Sequence, residues 1–201
     1  MTEPFHAAEG VDDWRVLYRV VAAHFRTESF AQGVALVDRI GRLATGNPPR
    51  IDLRPAGVTV TLVHRDAVLA RSISAAAADL GLIADPSTVQ LVNVTIDAQA
   101  TPAVLAFWRA LLDYRQFGDD FLGDPHGRGP GFGFQPLGAP RPQRNRVHID
   151  VAVPEDQAEA RIAAALAAGG RLVSDAHAPK WWVLADPEGN EACIATPRGR
   201  D

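Results

Sequence analysis

The sequence predicts an α+β chain: a small antiparallel sheet with helices on one face, followed by a paired βαβββ domain. Three patterns carry that expectation. Val58, Val60 and Leu62 alternate with Thr59 and Thr61, the period of a half-buried strand. The segments on either side repeat apolar residues at helical spacing. In the second half a strand-then-helix pattern occurs twice, with Asn93 and His148 at the strand centres, 55 positions apart. At 201 residues there is room for two small cores, and 47% hydrophobic against 22% charged residues supplies the apolar surface to order them.

An extended segment, Val16 to Ala23, opens the first half. Ser29 followed three residues later by Gln32 is a capping-box pattern, and Phe30, Val34, Val37, Ile40 and Leu43 follow it at helical spacing. That helix runs to about Ala44 and stops at Thr45-Gly46-Asn47-Pro48-Pro49, where the prolines remove backbone donors. Arg50 to Leu53 and Val58 to His64 form a hairpin across Pro55-Ala56-Gly57. A second helix covers about Ala67 to Leu80, with Leu69, Ile73, Ala76 and Leu80 on its stripe and Gly81 ending it. The polar break Ala84-Asp85-Pro86-Ser87 divides the chain into domains 1–84 and 85–201.

The second half pairs Leu91 to Asp97 with a helix from Thr101-Pro102, and Arg146 to Ala152 with a helix from near Pro154. In each strand the apolar residues share one side: Val92, Val94 and Ile96, then Val147, Ile149 and Val151. The other side carries Asn93, Thr95 and Asp97 in one copy and His148 and Asp150 in the other, as expected if helices cover one face and a wet cavity lies under the other. The glycine-rich segment Gly123 to Pro130 has the composition of a lid over that cavity.

Composition excludes several functions. The net charge of −4, with Lys180 the only lysine and Arg141, Arg144 and Arg146 the nearest approach to a basic cluster, argues against nucleic acid. One cysteine, Cys193, excludes an intramolecular disulfide and a cysteine-rich zinc module and suits a reducing compartment. No leader-like or membrane-spanning apolar run is present, so the expected location is the cytoplasm, with no membrane partner.

The strand Val92 to Asp97, the helix with Phe107-Trp108, the segment Asn145-Arg146-Val147-His148-Ile149-Asp150 and the closing Asp186-Pro187-Glu188-Gly189-Asn190-Glu191 resemble a glyoxalase-like domain of the vicinal oxygen chelate superfamily. The resemblance covers about half the chain. In metal-dependent members it implies four ligands, one from the first and one from the last strand of each half, which fall by position on Asn93, Gln135, His148 and Cys193. Only His148 and Cys193 are strong transition-metal ligands, so the expectation is a cavity without metal or other cofactor. Glu191 shares the side of Cys193 and is a further candidate ligand contact or base. His148 is either a strand histidine bonded to Asp150 or Asn93 or a ligand contact, and Cys193 reads more readily as a small buried hydrophobe than as a nucleophile. Of Trp181 and Trp182, one should face the cavity and the other the core.

In the first half, the order extended segment, helix, hairpin, helix, with Trp14, Phe25, Phe30, Asn47-Pro48 and His64, resembles pterin-4a-carbinolamine dehydratase from about Asp12 to Gly81. The resemblance implies metal-free acid/base removal of water from the 4a-carbon of a pterin. The family's three histidines fall on Gly46, Asn47 and His64, so catalysis would rest on His64 with Asn47 orienting the substrate. Asp66 matches a family aspartate only across a deletion and also stands where a helix N-cap belongs.

Three functions follow. One is a hydro-lyase on a pterin, fused to a small-molecule-binding domain. Another is sequestration of a pterin or another planar heterocycle in the C-terminal cavity, and the third is a glyoxalase-like reaction there. Both resemblances imply a homodimer.

Overall fold

The protein's structure is a computed structural model, which describes residues 5, 8–17, 19–137, 148–153 and 155–196. The chain divides into two compact units, Met1–Leu91 and Val92–Asp201. Residues 85–91, which the sequence groups with the second domain, fall in the first unit: Asp85 N–H donates to His24 O at 2.8 Å, and a single 3-10 turn, Pro86–Thr88, follows.

The first unit carries β1 (Arg15–Leu17), β2 (Val20–Arg26), α1 (Phe30–Leu43), β3 (Arg50–Arg54), β4 (Gly57–Leu62), α2 (Ala67–Asp79) and β5 (Ile83–Ala84). The sheet runs β1-β2-β4-β3, with β5 also pairing β2, and every pair is antiparallel. The segment expected to be one extended run is therefore two paired strands, with Val16 opposite Val21. Val21, Ala23, Phe25, Val58 and Val60 are buried against Leu36, Ile40, Ala70 and Ile73 of the helices. Each such large apolar side chain contributes about 1.5–3 kcal/mol on burial.

Ser29 caps α1, its Oγ accepting from Gln32 N–H at 3.2 Å, while Gln32 Oε1 accepts from Glu28 N–H at 2.9 Å. The buried stripe of α1 is Gly33, Leu36 and Ile40, with Val37 packed beside it; of the stripe that spacing suggested, Val37 and Ile40 meet the core while Phe30, Val34 and Leu43 are exposed. Gly33 explains the rotation: a Cβ there would lie 2.4 Å from Leu53 Cδ1, so the helix meets the sheet on its glycine.

The second unit repeats one plan. Its first copy is β6 (Asn93–Ala98), α3 (Thr101–Leu112), β7 (Arg115–Phe117), β8 (Phe121–Gly123) and β9 (Gly131–Pro136). Its second is β10 (Ile149–Ala152), α4 (Glu155–Ala167), β11 (Arg171–Ser174), β12 (Trp181–Ala185) and β13 (Glu191–Ala195). The sheet orders β6-β9-β8-β7 and β10-β13-β12-β11 match position for position, with first and fourth strands parallel in each. Residues 141, 144–147 and 154, named in the sequence reading, lie outside the described residues. Among the described residues no helix is long and apolar enough to cross a membrane.

One core serves both copies, with Trp108, Phe132, Phe134, Leu184 and Ile194 in a single buried cluster. The Asp186 turn clasps it. Trp108 Nε1 donates to the buried Asp186 Oδ2 at 3.0 Å, and Asp186 Oδ1 accepts from Glu188 and Asn190 N–H, each at 2.9 Å. Glu188 accepts from the backbone N–H groups of Gln99 and Ala100 at 3.0 and 2.6 Å, just before α3, whose own N-cap, Ala100, has no side-chain acceptor. The first copy has a related turn, Asp124-Pro125-His126-Gly127, in which Asp124 accepts from His126, Arg128 and Gly129 N–H at 2.8, 2.8 and 2.9 Å. That bonding, and a Tyr114 hydroxyl 1.9 Å from where a Gly129 Cβ would stand, make the expected lid an anchored loop.

Candidate functional site

Each unit presents one cavity beside candidate residues. In the first, the end of α1, the following turn and the end of β4 enclose about 270 Å³, lined by Gly46, Asn47, Pro48, His64 and Asp66 among others. The strand stops at Leu62, so Val63 and His64 sit in a bend beyond it, and Arg65 adopts φ 51 before α2 begins. That left-handed residue turns the chain sharply between His64 and the helix, a conformation uncommon without glycine. Asn47 and His64 are both exposed. Asp66 caps α2, its Oδ1 accepting from Val68 and Leu69 N–H at 2.9 and 3.0 Å, which occupies that oxygen in holding the helix start.

In the second unit, a cavity of about 660 Å³ opens on β10, β12 and β13. Alternation decides its lining: Ile149, Val151, Ala192 and Ile194 turn to the core, so Asp150, Ala152, Cys193 and Ala195 turn to the cavity, with His148 just before β10. Trp181 lines the cavity and Trp182 packs on the core, which decides between the two tryptophans. His177 stacks on Trp181 with ring centroids 4.3 Å apart. Thr196 holds the approach to Trp181, its Oγ1 donating to Pro179 O at 2.6 Å and its N–H to Lys180 O at 3.0 Å.

Three polar side chains converge there. Cys193 Sγ lies 3.5 Å from His148 Nδ1, and the same nitrogen lies 3.4 Å from Asp150 Oδ1. Cys193 is buried; His148 and Asp150 are exposed. Burial, then the hydrogen-bonded carboxylate of Asp150, then the charge of Glu191 push the Cys193 thiol up to about 11. By itself the thiol is therefore protonated near neutrality and a weak nucleophile.

Neither Asn93 nor Gln135 is among the residues that line this cavity. The parallel register sets Asn93 beside Gly131 and Asp97 beside Gln135, so the two amides stand four positions apart along paired strands, roughly 13 Å at ~3.3 Å per residue. In the second copy Asp150 pairs with Cys193, and the matching pair in the first is Thr95 with Gly133. Glycine thus occupies the place of Cys193. Sequence reasoning placed Asp150 on the wet face but treated it only as a partner for His148; its pairing with Cys193 follows from register, which spacing alone does not supply.

A glyoxalase-like domain family model matches residues 93–195. No curated protein matches the chain. Among solved structures, a glyoxalase-related enzyme from Fulvimarina pelagi is 20% identical, the match covering 54% of this chain and 88% of that one with a TM-score of 0.43. A glyoxalase/bleomycin resistance protein/dioxygenase family enzyme from Burkholderia phytofirmans PsJN is 20% identical over 54% of this chain and 98% of that one, TM-score 0.44. The fosfomycin resistance protein FosX from Mesorhizobium loti is 11% identical over 53% and 90%, TM-score 0.43.

Proposed function

Because the chain belongs, through residues 93–195, to the family of glyoxalase-like domains, we propose that it binds a small planar organic molecule in the cavity bounded by β10, β12 and β13. The observation that carries this reading is the meeting of an aromatic wall with a polar cluster in one concavity: Trp181 on one side, His148, Asp150 and Cys193 on the other. About 660 Å³ is the size of a small-molecule site, and a flat ligand gains both apolar contact and ring stacking on Trp181. His148 and Asp150 then select ligands with a donor and an acceptor on one edge.

Tryptophan fluorescence of the full chain, titrated with a panel of aromatic and heterocyclic carboxylic acids and a stable reduced-pterin analogue, tests this. Saturable quenching that disappears in Trp181→Ala and weakens in His148→Ala is the expected result. A flat titration across the panel sinks the reading.

A second reading concerns the first unit and has its own support: Gly46, Asn47, Pro48, His64 and Asp66 line one cavity of about 270 Å³, the positions at which the dehydratase resemblance puts its signature. On this reading the unit removes water from the 4a-carbon of a hydroxylated pterin. One proton joins the departing hydroxyl and one leaves the neighbouring ring nitrogen, with His64 carrying protons and Asn47 orienting the ring. With one titratable histidine where the family has three, turnover is expected to fall ~10²- to 10⁴-fold for each acid/base group lost. Calorimetry with the reduced-pterin analogue, repeated on His64→Ala, is the check; binding heat that does not depend on His64 removes this reading. Self-association of the chain as a homodimer belongs with both readings and is measured by light scattering.

A further inference from the structure

We propose that His24, Arg26 and Arg54 form a binding site for a single phosphate-type oxyanion on the open face of the first unit's sheet. None of these residues lines either cavity, so the site stands apart from both functional readings.

Strand alternation places them together. Val21, Ala23 and Phe25 of β2, Val58, Val60 and Leu62 of β4, and Ile51 and Leu53 of β3 turn to the helices. His24, Arg26, Gly57, Thr59, Asp52 and Arg54 therefore turn the other way. Register sets them in two neighbouring rows across the sheet: Arg54, Gly57 and Arg26 in one, Asp52, Thr59 and His24 in the next. Asp85 ends the second row, its N–H donating to His24 O at 2.8 Å. The two arginines of the first row stand two strand spacings apart, roughly 10 Å at ~4.8 Å per spacing.

An imidazole lies between them. Gly57 is buried, and a Cβ there would lie 2.5 Å from both Cε1 and Nε2 of His24, so glycine is what lets the ring settle into the arginine row. A glycine in a strand often marks such a close approach. The ring's other nitrogen, Nδ1, is engaged with Thr59 Oγ1 at 2.9 Å. With the hydroxyl donating to Nδ1, the hydrogen sits on Nε2, which faces the space between the arginines.

The neighbouring carboxylates orient the arginines. Arg54 Nε donates to Asp52 Oδ1 at 2.8 Å, and Arg26 Nε stands 4.0 Å from Asp85 Oδ2. Both acids lie in the row of His24, at its two ends, so the guanidinium groups are drawn toward the imidazole from opposite sides. These contacts use Nε, and the terminal nitrogens of both arginines have no protein partner among the described residues. Guanidinium N–H groups form a planar fork that matches phosphate oxygens. Two forks and one imidazole donor suit a single tetrahedral anion, not the run of phosphates along a nucleic acid.

The test is a titration of full-length, isotope-labelled protein with inorganic phosphate, followed by nuclear magnetic resonance of the histidine rings and backbone amides at constant ionic strength. Saturable shifts of the His24 ring and the Gly57 amide are expected, and chloride should not reproduce them. Arg26→Ala and Arg54→Ala should each weaken binding at least about tenfold, the scale of a lost charge-assisted hydrogen bond, with Arg54→Lys recovering only part. Arg50→Ala alters the same open face four residues along β3, roughly 13 Å from Arg54 at ~3.3 Å per residue, and should change affinity less than about twofold because exposed charges that far apart are screened. Glucose 6-phosphate is titrated in parallel. Tighter binding than phosphate assigns the site to a phosphate monoester and weaker binding to the free ion, and either supports the proposal. An unmoved His24 ring, equal shifts with chloride, or an Arg50→Ala loss as large as that of Arg26→Ala overturns it. Amide spectra of the variants without phosphate confirm that each is folded.

Discussion

The two copies of the βαβββ plan differ most where they should be most alike, on the cavity side of their outer and inner strands. In the second copy Cys193 pairs with Asp150 on one side and Val183 on the other. At the matching place in the first copy Gly133 pairs with Thr95 and Phe121. Phe121 stands over the glycines: a Cβ on Gly131 would meet its Cζ at 2.4 Å and Asn93 Oδ1 at 2.8 Å. One copy therefore fills its concave face with an aromatic ring and the other leaves room for a polar cluster. The lesson is that the repeated plan holds the buried faces to one shared core and leaves the open faces free to differ.

The two Asp-Pro turns give the sharpest way to break that comparison. Asp186 is buried and holds the Trp108 indole as well as its own turn, whereas Asp124 holds only a turn at the surface. Asp186→Ala is expected to cost roughly 3–5 kcal/mol, since it strands a buried indole donor and the turn amides, and Asp124→Ala only about 1 kcal/mol. Urea denaturation measures both; equal losses would mean that the turns are equivalent despite their burial.

The glycines come next. Gly131→Ala forces Phe121 or Asn93 aside and is expected to cost roughly 1–3 kcal/mol. Gly133→Ala meets nothing closer than Thr95 Oγ1 at 3.7 Å and should be neutral or mildly stabilising. If both destabilise alike, Phe121 does not account for the glycines.

A smaller effect, about 1 kcal/mol, is expected from Glu188→Ala, which removes the acceptor and the negative charge at the start of α3. Thermal melts at low ionic strength are the measurement, and Glu188→Gln should restore part of the loss by keeping an acceptor. The smallest effect concerns acid. Burial alone would raise the Asp124 carboxyl, but the N–H groups of His126, Gly129 and Arg128, with the Arg128 charge, outweigh it and hold it below its ordinary value of 3.8. Its stabilising contribution is complete above 3.8 and disappears as pH falls through the lower folded value, so Asp124→Asn should flatten the acid limb of the stability profile.

Much of this was legible in the sequence. Alternation found the wet and apolar faces of β6 and β10, and capping chemistry found the start of α1 at Ser29. The tryptophan pair could be narrowed to one wall residue but not assigned, because strand phase was unknown. Register was the main thing hidden. Asn93 lies 38 positions before its partner Gly131, whereas Ile149 lies 43 before Ala192, and a difference of that kind in the intervening loops moves every cross-strand pair. Gln135 was named where Gly133 stands for that reason. The turn at Asp124 was readable too, since Asp-Pro followed by glycine two residues on occurs at both 124 and 186, but one copy ends in Arg-Gly and the other in Asn-Glu. Of the α1 stripe, Val37 and Ile40 were readable, while its Gly33 edge escaped because the residue that touches the sheet carries no hydrophobicity to count.

The borrowed cap of α3 has a consequence for the order of assembly. Ala100 waits for an acceptor that lies 88 residues further along the chain, on Glu188. During synthesis the whole first copy has been made before the group that finishes its helix exists, and the first turn of α3 stays open to water until the last hairpin arrives. Completion of the early half is thus a late event.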